Sequence, residues 1–99
     1  MIVITGVIEI HPEDAWAASG AAVKMMEASE KEDGCLVYRV YTDILIPRRF
    51  RIYEEWRDEE SLAAHFQTAH MEEFQKRIAS LRVLERKIKK FWVDEEAPM

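Results

Sequence analysis

Two histidines, a glutamate and a tryptophan fall within the stretch Tyr53-Glu54-Glu55-Trp56 through His65 and His70 to Phe74. Imidazole is the side chain that ordinarily titrates in the physiological range, between about pH 5 and pH 8. When a carboxylate holds it inside an apolar, aromatic cavity it becomes a tuned general base, because the acid fixes its tautomer. On that reasoning His65 is the candidate base and Glu54 the carboxylate that orients it. Trp56 stands beside Glu54 at the strand's end, and His70 is an accessory group. Plainer readings stand beside these. His65 equally fits a core histidine satisfied by one hydrogen bond, and His70, one turn after a helix cap, fits a solvent-facing residue. Glu54 also fits an ion pair with Arg39 or Arg51 across a hairpin. Tyr53 and Trp56 fit core or interface aromatics.

Other chemistries find less support. On a continuous helix of about 3.6 residues per turn, histidines five apart stand about 500° apart, on different faces. A helix break at Thr68 would bring them together, but no Cys or further His offers a third ligand at a familiar spacing. No metal is expected. The single Cys35 forms no intrachain disulfide and reads as a small buried hydrophobe, consistent with a reducing compartment. Seven Ser and Thr residues are scattered without a Gly-x-Ser-x-Gly elbow. Gly6, Gly20 and Gly34 make no phosphate-binding loop, so neither nucleotide nor flavin is indicated.

The elements that must position these residues follow from periodicity. Residues 2–10 alternate, with Ile2, Ile4, Ile8 and Ile10 on one face and Val3, Thr5, Val7 and Glu9 on the other, as in a strand. Gly6 interrupts it where a ligand or another backbone approaches closely. His11-Pro12-Glu13-Asp14 is a helix entry, because Pro needs no amide partner there and the acids complement the helix dipole. The helix runs to Lys31 with Trp16, Gly20, Val23 and Met26 near one face, and Glu32-Asp33-Gly34 stops it. Cys35–Asp43 and Phe50–Trp56 read as strands of a hairpin joined through Pro47. Asp58 caps a second helix whose inward face carries Leu62, Ala63, Phe66 and His65. Thr68 caps a restart through Met71, Phe74 and Ile78. Val83 to Trp92 reads as a last strand.

The order is β-α-β-β-α-β, an α+β, ferredoxin-like plan with two helices on one face of an antiparallel sheet. One domain spans residues 1–93, and 94–99 form an acidic C-terminal tail. The strands carry apolar groups on both faces while helices cover only one, so a homodimer packed sheet to sheet is expected. Net charge of −5 over 99 residues argues against nucleic acid and anionic membranes as partners. Seven Lys and Arg residues between Lys76 and Lys90 read as the solvated edge of a strand, with an anion-binding surface as the minor reading. The apolar N-terminus is too short to span a bilayer and lacks a basic leader, which makes the cytoplasm the expected location.

The ordered set Gly34-Cys35-Leu36-Val37-Tyr38, then Tyr53-Glu54-x-Trp56-x-Asp58-x-x-x-Leu62-x-x-His65-x-x-Thr68-x-His70 and Phe74, resembles the antibiotic biosynthesis monooxygenase family over nearly the whole chain. The resemblance implies a dimeric α+β barrel. It also implies a range of activities, because some members oxygenate quinols or aromatic polyketides with molecular oxygen and no metal or flavin. Others degrade haem, using an Asn on the first strand and a Trp on the second helix. Here those positions hold Thr5-Gly6 and His65, which argues against haem degradation. The reaction the resemblance implies is cofactor-independent oxygenation of a small aromatic quinol or polyketide-like substrate, with Trp56, Phe66 and Phe74 as the walls, His65, oriented by Glu54, removing a phenolic proton, and Arg39 steadying the anion. The competing class is a non-oxygenase: a small-molecule-binding or isomerase-type dimeric barrel.

Overall fold

A computed structural model describes residues Met1–Met99. The four strands are β1 (Ile2–Ile10), β2 (Cys35–Thr42), β3 (Arg49–Trp56) and β4 (Val83–Trp92), in the spatial order β2-β3-β1-β4, with every pairing antiparallel. The helices are α1 (Ala15–Ser29), α2 (Glu59–His65) and α3 (Ala69–Ala79). This is the expected β-α-β-β-α-β plan with the second helix broken in two.

The alternation in β1 sets the layers. Ile2, Ile8 and Ile10 are buried, and their β3 partners Trp56 and Phe50 share that face with Ile52. Two packed clusters result. One holds Ile2, Met25, Tyr38, Trp56 and Leu62, and the other Ile8, Ile10, Ala18, Phe50 and Ile52. Gly6 is required by a close approach of backbone, since a Cβ there would stand 2.1 Å from the Lys87 carbonyl oxygen on β4.

The face α1 buries differs from the expected one. Ala18, Ala21, Ala22, Met25 and Ser29 are buried, whereas Trp16 is 90% exposed and Gly20 and Val23 also face outward. Of the expected stripe only Met26 packs against the core. The alanines win because a small side chain lets a helix lie closer to a sheet than an indole would. A stripe chosen by bulk missed that.

Thr68 divides the second helix with a single hydroxyl. Its Oγ1 donates to the His65 carbonyl at 2.7 Å, tying off α2, and accepts from the Met71 amide at 3.2 Å, opening α3. Asp58 caps α2 by accepting from the Ser61 amide at 2.8 Å. Leu62 and His65 are buried on α2 as expected, but Ala63 and Phe66 are exposed. No residue of α3 is fully buried.

The sheet face away from the helices is mixed rather than apolar. By register it carries Val3, Thr5 and Val7 beside Arg51, Tyr53, Lys87, Lys89 and Phe91. β4 is an edge strand with little cover on either face, and Leu84, Ile88, Phe91 and Trp92 are exposed along it. Residues 94–99 form neither helix nor strand. No helix is long and apolar enough to cross a membrane.

Candidate functional site

The turn after α1 organises the site. Gly34 adopts φ +85°, a left-handed conformation that glycine takes freely, and a Cβ there would lie 2.1 Å from Ser61 Oγ. Its carbonyl accepts from the Arg57 amide at 2.8 Å, and the Arg57 guanidinium holds Asp33 at 3.3 Å. These contacts press the 30–34 turn onto the start of α2. That placement sets Glu32 over the break between α2 and α3.

Glu32 Oε2 stands 2.7 Å from His65 Nδ1 and 2.7 Å from His70 Nε2. One carboxylate oxygen therefore bridges the two imidazoles, which lie 5.9 Å apart between ring centres. A carboxylate only accepts, so His65 carries its proton on Nδ1 and His70 on Nε2. In the neutral form of each ring the lone pair is then on His65 Nε2 and on His70 Nδ1. A continuous helix would set the histidines on different faces, but Thr68 ends one helix and starts another between them, and that break brings them together.

Burial separates the two rings. His65 is 1% exposed and packed by Trp56 at 4.7 Å, Tyr38 at 5.7 Å and Phe66 at 5.6 Å between ring centres. The His70 side chain keeps 26% of its exposure and lines a recess of about 30 Å³ with Met25, Phe74, Lys24, Glu73 and Arg77. Phe74 also lines a second cleft of about 30 Å³ on the sheet side, walled wholly by apolar side chains that include Ile8, Val40, Ile52 and Ile78.

Glu54 does not orient His65. Its Oε1 accepts from the Trp56 indole N–H at 2.8 Å, and it reaches His65 only through that indole. Burial pushes the Glu54 carboxyl up to about 7, against the indole hydrogen bond, which lowers it, and with a smaller push from the charge of Glu32. Trp56 is wholly buried and belongs to the core, while Phe66 is 51% exposed and meets His65 only edge-on. Arg39 pairs with Glu30 at 3.1 Å, and Arg51 reaches Thr5 Oγ1, so neither pairs with Glu54. Cys35 is partly rather than fully buried, yet burial still raises its thiol to about 11. Glu32 is the residue that sequence reasoning missed. Its signal was an acid two positions before a glycine that must turn the chain.

The family model for antibiotic biosynthesis monooxygenases matches residues 1–77, which contain β1 to β3, the Glu32 turn, and both histidines. The chain belongs to that family. Among solved structures, a putative antibiotic biosynthesis monooxygenase from Deinococcus radiodurans superposes with a TM-score of 0.92 at 25% identity, over 100% of this chain and 98% of that one. A conserved protein of unknown function from Bacteroides thetaiotaomicron, described as a possible oxidoreductase, gives 0.83 at 31% identity over 91% and 94%. The uncharacterized protein sll1783 of Synechocystis is 30% identical over 95% of this chain, which spans 64% of that relative's length. The putative monooxygenase YcnE of Bacillus subtilis is 28% identical over 75% of this chain and 78% of its own. The antibiotic biosynthesis monooxygenase fold thus extends beyond the matched segment through β4.

Proposed function

We propose that this chain is a cofactor-independent monooxygenase of a small aromatic quinol, with the Glu32–His65–His70 cluster as its acid–base centre. The observation that supports it is the single Glu32 oxygen shared by one buried and one accessible imidazole. His70 takes the role of the base, because its Nδ1 lone pair belongs to the ring that lines a recess. Glu32 stabilises the imidazolium that forms, and His65 anchors Glu32 from the buried side. Glu54 and Trp56 support His65 from behind.

The chemistry balances without a further reagent. His70 removes the phenolic proton, and the electron-rich ring forms a C–O bond to dioxygen. The proton returns to the terminal peroxide oxygen, and water leaves with the ring C–H proton. One oxygen atom stays on the ring as a quinone carbonyl. The apolar cleft behind Phe74 favours dioxygen over water, since apolar cavities stay dry.

An aromatic ring needs more room than about 30 Å³; cavities that take benzene measure about 150 Å³. Phe74 separates the two spaces, and it sits on α3, which buries no residue completely. Substrate entry therefore moves Phe74 and α3 and merges the recess with the cleft. In the same reading a second copy covers the exposed edge strand β4 and the open sheet face, and the substrate binds within each protomer.

Oxygen uptake with a panel of quinols tests the assignment. His70→Ala should lower kcat by about 10²–10⁴-fold, the usual contribution of a positioned base. Equal rates for wild type and His70→Ala would remove the histidine from the reaction. Lys24, which lines the recess beside an Arg77 paired with Glu73 at 3.3 Å, favours a second reading, an isomerase acting on an anionic substrate. Absence of oxygen uptake on every quinol, together with proton exchange on an anionic ligand, would select it.

A further inference from the structure

The same three side chains have a second capacity, independent of any oxygen chemistry. We propose that Glu32, His65 and His70 form a binding site for a divalent transition-metal ion such as zinc or copper. His65 Nδ1, His70 Nε2 and one Glu32 oxygen lie within 4.8 Å of one another, on three separate elements: the turn after α1, the end of α2 and the first turn of α3. Two imidazoles and a carboxylate make the donor set of a three-ligand zinc site, with a fourth position left open. Two nitrogen donors select against magnesium and calcium, which prefer all-oxygen shells.

The surroundings hold these donors in place by packing and by backbone contacts. Thr68 Oγ1 fixes the His65 carbonyl, and Trp56 and Tyr38 pack the His65 ring. The Gly34–Ser61 contact holds the turn that carries Glu32. His70 opens on the recess, so an ion has a path in. With metal–nitrogen distances of about 2.0–2.1 Å, tetrahedral donors stand about 3.4 Å apart. The two 2.7 Å contacts therefore widen by roughly 0.7 Å as the ion replaces the hydrogen bonds, and the two nitrogens, within 4.8 Å of each other, close toward the same spacing by a turn of the more exposed His70 ring. Binding places the lone pairs on His65 Nδ1 and His70 Nε2 and moves each ring proton to the other nitrogen. His70 Nδ1 is then a donor and no longer a base. A bound ion thus blocks the proposed proton transfer, yet the site exists whether or not the oxygenase reading holds.

Untagged, chelator-stripped protein titrated with zinc chloride by calorimetry, and with cobalt(II) by visible absorption, tests the proposal without any substrate. Stoichiometric binding with ligand-field bands of a low-coordinate site is expected for the wild type and for His11→Ala, whose histidine is remote and caps its own turn through Nδ1. His70→Ala removes a side chain that is only partly buried and should fold normally. It should weaken binding by more than about a hundredfold, because even outer-shell losses cost 10–100-fold. Glu32→Gln should do the same. No saturable binding by the wild type, unchanged affinity in His70→Ala, or unchanged affinity in Glu32→Gln would each overturn the three-ligand site.

Discussion

Glu54→Gln should make the protein more stable at alkaline pH and leave it unchanged in acid. The Glu54 carboxyl is 7% exposed, and burial raises it from an ordinary 4.5 to about 7. The folded state therefore binds a proton that the unfolded state has already released between those values. Stability carried by the protonated carboxyl is complete below pH 4.5 and falls as the pH rises through about 7. The gap amounts to roughly 3–4 kcal/mol, at about 1.4 kcal/mol per pH unit. Glutamine does not ionise, and its amide oxygen still accepts the Trp56 indole proton, so the variant removes the charge and keeps the hydrogen bond. Urea unfolding of wild type and Glu54→Gln at equal protein concentration, from pH 4 to pH 8.5, gives the comparison. With a urea slope of roughly 1–3 kcal/mol per molar, the midpoints should separate by roughly 1–3 M at the alkaline end. Parallel curves across the whole range would show that Glu54 is not held protonated by its surroundings, and the account of the Glu54–Trp56 pair would fall.

Gly34→Ala should cost about 1–3 kcal/mol in urea unfolding, since a side chain at φ +85° is strained and its Cβ meets Ser61 Oγ; an unchanged midpoint would mean the 30–34 turn can move freely. The Cys35 thiol, raised to about 11 from 9.0 chiefly by burial, should react with a thiol reagent at pH 8 about a hundredfold more slowly than free cysteine, and reaction at the free rate would refute its inert placement. Sedimentation of the wild type at micromolar concentration should give a dimer, and Phe91→Glu on the exposed edge strand should give a monomer; a wild-type monomer would leave β4 uncovered in solution.

Most of the fold was legible because strand signals and caps are local. The β1 alternation, the Pro12 entry, the Asp58 and Thr68 caps and the Gly34 stop each depend on neighbours within a few residues. The buried stripe of α1 was not, because it depends on how closely a helix approaches a sheet. That is a tertiary quantity, and it favoured Ala18, Ala21 and Ala22 over Trp16 and Val23. The mixed face of the sheet was half legible. Apolar Val3 and Val7 were evident in β1, but the cations that share that face come from β3 and β4, and only the register brings them there.

The site shows a sharper version of the same limit. His65, His70, Glu54 and Trp56 were found because they crowd one segment, and nearness in sequence then assigned Glu54 to His65. The structure pairs them differently: β3 points Glu54 at the indole two residues on, while Glu32, more than thirty positions before His65, crosses from the turn after α1. A carboxylate that serves two imidazoles must come from outside the element carrying them, since Thr68 has already turned α2 and α3 so that both rings converge on one point. The glycine that looked like a helix stop is what delivers that carboxylate. Gly34 is thus as much a part of the proposed acid–base centre as the residues that would touch a substrate, and its substitution should move Glu32 away from His70 even where the protein remains folded.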